Sequence, residues 1–121
     1  MMIKKTLVIG ASLKSNRYSY LAVQKLVSKL IDVVAFGLRK GVVSGVEIDT
    51  TLIRYKNIHT VTLYLNPSRQ KEYYDYIIAL NPERVIFNPG TENPEFYTLL
   101  MEKNIYYEEA CTLVLLSTNQ Y

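Results

Sequence analysis

A chain of 121 residues, 49% hydrophobic and 21% charged, has the size and balance of one globular domain spanning residues 1–121, with material for one core and hardly for two. Its formal net charge of +3 is too small to make a nucleic-acid surface by charge alone, yet it suits a polyanionic small ligand. A single cysteine, Cys111, excludes an internal disulfide framework, and a single histidine, His59, without cysteine partners offers no zinc site.

The opening Met1-Met2-Ile3-Lys4-Lys5 leads into Leu7-Val8-Ile9, an apolar run far too short for a signal segment or a membrane span. The chain is therefore expected in the cytoplasm, away from membranes. Thr6 to Ile9 lacks polar alternation and ends at Gly10, which predicts a fully buried, central strand. From Arg17 to Leu30 apolar residues recur at Tyr20, Val23, Val27 and Leu30, with Leu26 beside them, and this spacing predicts an amphipathic helix. Val33 to Phe36 is a second buried strand, completing a βαβ unit. The glycine-containing region 37–57 reads as a loop with at most a minor hairpin around Val46 to Ile48.

Thr60 to Leu65 is a β-branched strand. Ser68 to Leu80 is helical, with Tyr73, Tyr76, Ile77 and Leu80 on one stripe. Arg84 to Phe87, Glu95 to Lys103, Ile105 to Tyr107 and Thr112 to Ser117 continue as strand, helix, strand and short helix. All four prolines follow asparagine, at 66–67, 81–82, 88–89 and 93–94, which marks turns and helix starts. Five short strands alternating with helices predict an α/β, Rossmann-like, doubly wound fold: a five-stranded parallel sheet in the order 3-2-1-4-5 with helices on both faces. Ligands bind such sheets at the carboxyl ends of the strands, here near the switch between the first and fourth expected strands.

The turn Gly10-Ala11-Ser12-Leu13-Lys14-Ser15-Asn16-Arg17 stands where a dinucleotide fingerprint places three glycines, but only the first is present. Ser12 and Ser15 add hydroxyls beside the free amides of a helix start, and Arg17 could pair with a phosphate. A purely structural strand-to-helix turn would look the same. The second strand is followed by Gly37-Leu38-Arg39-Lys40-Gly41 rather than by the acidic residue an NAD ribose needs. Arg39 and Lys40 suit a phosphorylated ribose, that of coenzyme A or of NADP, although a solvated basic turn accounts for them equally.

Taken in order, Leu7-Val8-Ile9-Gly10-Ala11-Ser12, Arg17-Tyr18-Ser19-Tyr20, the basic turn followed by Gly45, and Asn88-Pro89-Gly90-Thr91-Glu92-Asn93 with Cys111 downstream resemble the CoA-binding domain family. Its members are small stand-alone relatives of the CoA-binding domain of the succinyl-CoA synthetase α chain. The resemblance implies binding of coenzyme A or an acyl-CoA: Gly10, Ala11 and Ser12 approach the diphosphate, Arg17 pairs with a phosphate and Lys40 meets the ribose phosphate. It implies that the Asn66-Pro67-Ser68 loop borders the adenine or pantetheine, with the Asn88-Pro89-Gly90 loop nearby. The sequence departs from the family after the second strand, where Leu38-Arg39-Lys40 replaces the usual Asn-Pro-Lys.

Glu92, Glu108 and Glu109 could form an acid/base pair, but solvated carboxylates are the commoner case, and Cys111 has no neighbour in sequence that would activate it. His59 precedes its strand, at the end of the sheet away from the ligand. No catalytic residue is assigned, and a sensor or carrier of the ligand is expected. The chain has no room for the phosphohistidine and nucleotide-binding parts of a complete CoA ligase. The alternatives are an NADP- or other nucleotide-binding domain, or an interaction module without ligand. Tyrosines 73, 74, 76, 106 and 107 could shape a homodimer contact.

Overall fold

The computed structural model describes residues 4–121; Met1 to Ile3, with which the expected domain begins, lie outside the described residues. The apolar run before Gly10 forms β1 (Thr6–Ala11), whose first four residues are wholly buried. It is followed by α1 (Tyr18–Ser28), β2 (Val33–Gly37), and a hairpin of β3 (Gly41–Val43) and β4 (Val46–Asp49). The second half runs β5 (Thr60–Leu63), α2 (Pro67–Gln70), a 3-10 turn, α3 (Tyr74–Leu80), β6 (Arg84–Phe87), α4 (Pro94–Glu102), β7 (Tyr106–Glu109) and α5 (Thr112–Ser117). Side chains alternate across a strand. Leu7 and Ile9 accordingly face a cluster with Ile77 of α3 and Phe96 and Leu100 of α4, whereas Val8 faces Val23 and Leu26 of α1 and Leu116 of α5. Helices thus cover both faces of the sheet.

The sheet has seven strands in the order β3-β4-β2-β1-β5-β6-β7, mostly parallel. This corrects the expected five strands in the order 3-2-1-4-5. The third expected strand, now β5, does not lie outside the second; it pairs with β1 in register Thr6 to Thr60 and separates β1 from β6. The place outside β2 is taken by β4, which pairs with β2 through Ala35–Ile48. A two-residue turn makes that possible: Ser44 and Gly45 both have positive φ, 49° and 82°, as a type I′ hairpin requires. The topological switch therefore lies between β1 and β5.

Helix α1 stops at Ser28, and Leu30 sits in left-handed backbone with its side chain 94% exposed instead of on the core stripe. The buried face of α1 is Ser19, Ala22, Val23 and Leu26. Two of the Asn-Pro pairs act as expected: Asn66 and Asn93 cap α2 and α4, accepting from the amides of Arg69 and Phe96, with proline in the first turn. Asn81 closes α3 in left-handed backbone, and Asn88 is buried at the end of β6.

Candidate functional site

At the carboxyl ends of β1, β2 and β5 lies a cleft of about 530 Å³, within the range of small-molecule sites. Its near bank is the β1–α1 turn. Gly10 has φ +93°, and the register of β1 against β2 shifts between Ile9 and Ala11. A Cβ at Gly10 would stand 3.1 Å from the Tyr64 carbonyl carbon and 3.2 Å from Leu65 Cδ2, so only glycine lets the turn pass this close to the end of β5. Gly37 is tighter still, since its Cβ would lie 2.3 Å from the Ala11 carbonyl oxygen. The turn closes through the Arg17 amide on the Lys14 carbonyl at 3.0 Å and the Lys14 amide on Ser12 Oγ at 3.1 Å.

Helix α1 then begins without a side-chain cap and without an acidic residue in its first turn. The first-turn amides of a helix have no intrahelical acceptor, and they carry the positive end of the helix dipole. Tyr18 and buried Ser19, in that first turn, line the cleft. The floor is aromatic. Phe36 at the end of β2 meets Tyr73 edge-on at 5.4 Å, a contact that crosses above β1 and joins the two banks. Tyr64 also lines the cleft, and burial pushes its phenol up to about 12, so it is neutral at physiological pH.

Four cationic side chains line this space, Lys14, Arg17, Arg39 and Arg69, and no Asp or Glu does. The ion pairs among the described residues are His59–Glu83 and Lys71–Glu95, so none of the four cations is neutralised by a pair. Two other depressions, one between the 52–57 loop and α3 and one between α1 and the hairpin turn, lack this concentration of charge.

Of the residues singled out from sequence, the cleft brings together Gly10, Ala11, Ser12, Arg17 and Arg39. Ser15 and Lys40 are exposed in the same two loops without lining it. Asn66, Pro67 and Ser68 build the start of α2: Ser68 Oγ donates to Asn66 Oδ1 at 2.8 Å, and Asn66 Oδ1 also accepts from the Arg69 amide. Asn88 is engaged inside the fold, its Nδ2 donating to Thr62 Oγ1 and the Leu63 carbonyl and its Oδ1 accepting from the Thr112 amide. Pro89 and Gly90 follow it outside the cleft lining, where the Gly90 amide donates to Glu92.

Sequence reasoning does not assign Lys14, Arg69 or Tyr73 to the ligand site. Arg69 and Tyr73 are one helical turn apart, and Tyr73 reads as part of an apolar stripe; the available signal was a cation in the first turn after a buried strand. Glu92, Glu108 and Glu109 do not line the cleft, and Glu109 accepts from the Tyr97 hydroxyl at 2.6 Å. His59 lies before β5, bonded to Thr60 Oγ1 and facing Glu83; burial lowers its pKa. Cys111 is half-buried ahead of α5. No group of three or more His, Cys, Asp or Glu among the described residues could hold a metal, and no described helix is long and apolar enough to cross a membrane.

Residues 4–117 match the family described as CoA binding domain. An uncharacterised protein of known crystal structure superposes with a TM-score of 0.96 at 44% identity, each chain covering 100% of the other. A Thermus thermophilus protein gives 0.86 at 20% identity, covering 98% of this chain and 91% of its own, and a hypothetical protein from Pyrococcus horikoshii OT3 gives 0.85 at 23%, covering 96% and 83%. The last two share the fold. No protein of curated function matches the chain.

Proposed function

The chain belongs to the CoA binding domain family, and from that premise we propose that the cleft binds coenzyme A or an acyl-CoA, held by its phosphates, as a sensor or carrier module. The observation that carries this reading is the set of four unpaired cations without a carboxylate around an uncapped helix start. Coenzyme A supplies a matching charge in its diphosphate and ribose 3′-phosphate. In this reading the amides of Gly10 to Ser12 and of the first turn of α1 donate to the diphosphate. Ser12 keeps its hydroxyl proton for a phosphate oxygen while Oγ accepts from Lys14. Arg17 pairs with the diphosphate and Arg39, with Lys40 beside it, with the ribose phosphate.

The end of β2 supports a phosphorylated ribose over NAD, because it continues into Leu38-Arg39-Lys40 and not into an acidic residue. The lining of cations, hydroxyls and aromatic rings supports the holding of a phosphorylated ligand. Calorimetric titration with CoA, dephospho-CoA, NADP and NAD tests the reading. CoA is expected to bind, and dephospho-CoA at least tenfold more weakly, a difference of about 1.4 kcal/mol. Preference for NADP would assign the basic turn to a 2′-phosphate, and binding of none of the four would contradict the reading.

A further inference from the structure

Resting on the coenzyme A reading, we infer that Arg69 is a second phosphate anchor, facing the pantetheinyl side of the diphosphate from the bank opposite Arg39. Sheet order supplies the direction. β2 and β5 flank β1, so the loops after β2 and β5 stand on either side of the diphosphate turn, separated by two strand spacings, about 10 Å. A ribose phosphate held by Arg39 after β2 puts the nucleoside on that side, and the ligand must leave the diphosphate toward the loop after β5.

That loop delivers Arg69. Asn66 caps α2 through the Arg69 amide, fixing the first turn. The next residue, Gln70, is wholly buried and anchors the segment: its Nε2 donates to the Leu65 and Thr91 carbonyls, both at 2.8 Å, while its Oε1 accepts from Asn93 Nδ2. With Gln70 turned inward, Arg69 and Tyr73, one helical turn apart, face the cleft together. Tyr73 is held against Phe36, which leaves the guanidinium of Arg69 as the charged group lining this bank, with no acidic partner. A planar guanidinium binding two phosphate oxygens fits that position better than a point charge.

The test is titration of Arg69→Ala, Arg39→Ala and the unaltered protein with CoA, dephospho-CoA and adenosine 3′,5′-bisphosphate, which lacks the outer phosphate. Arg69→Ala is expected to weaken CoA and dephospho-CoA by about tenfold each and the bisphosphate by less than about twofold. Arg39→Ala is expected to weaken CoA and the bisphosphate and to spare dephospho-CoA. Equal loss for all three ligands in Arg69→Ala, or none for CoA, would overturn the assignment of Arg69 while leaving the parent reading intact. Failure of the unaltered protein to bind CoA would remove both.

Discussion

Gly37 shows how tightly the cleft is built. Gly37 brings the end of β2 against the Ala11 carbonyl, and a methyl group there would overlap a backbone atom that has no free direction to move. Gly37→Ala is expected to cost about 2–3 kcal/mol in urea unfolding, as overpacking does, and to weaken CoA by spreading the ends of β1 and β2. Unchanged stability and affinity would mean that the two strand ends are not held this close in solution. Asn88 illustrates the opposite case, a residue that looks like a ligand contact and is bonded on three sides to Thr62, Leu63 and Thr112. Asn88→Ala is expected to destabilise by about 2–4 kcal/mol, because its buried partners lose their bonds, and to leave the affinity of the remaining folded protein near that of the unaltered chain. The tight turn at Gly10 could be read from sequence, since glycine ends a buried strand just ahead of a helix. The role of Asn88 could not, because Asn-Pro signals a boundary without saying whether the amide faces ligand or core.

At the scale of elements, hydrophobic periodicity located the strands and helices of the parallel body, and the closing helix Thr112–Ser117 has the expected bounds. Periodicity does not encode which strands are neighbours. Val46-Glu47-Ile48-Asp49 is short and half polar, so its claim on the edge of β2 was faint; with that place apparently vacant, β5 had two sides of the sheet to choose from. The same limit hid Arg69, since a helix start shows its face only once the strand before it has been placed. The cap of that helix is testable. Asn66→Ala is expected to cost about 1 kcal/mol in unfolding and, by loosening the first turn of α2, to weaken CoA through Arg69. The same loss of stability without any change in affinity would separate the cap from the site.

For the whole molecule, tyrosines substitute for tryptophan at the joints between layers, and their hydroxyls set the response to alkali. Burial raises Tyr64 and Tyr76 to about 12, and burial with a Glu109 partner raises Tyr97 as well. A folded-state pKa above the ordinary value of about 10 gives stability that is complete below that value and is lost as pH rises toward 12. Thermal unfolding is therefore expected to show a falling midpoint once pH passes about 10; a midpoint constant to pH 12 would mean these phenols are solvated. Charge organises the molecule in the same way as burial: a net charge of only +3 conceals four cations gathered at one end of the sheet. The most direct test of that arrangement as a CoA site is a titration of the isotope-labelled protein with CoA, followed by backbone amide chemical shifts. Shifts concentrated at Gly10 to Ser12, Tyr18 to Ser19 and Gly37 to Arg39 are the expected result, whereas shifts confined to the groove between the 52–57 loop and α3, or none, would contradict it.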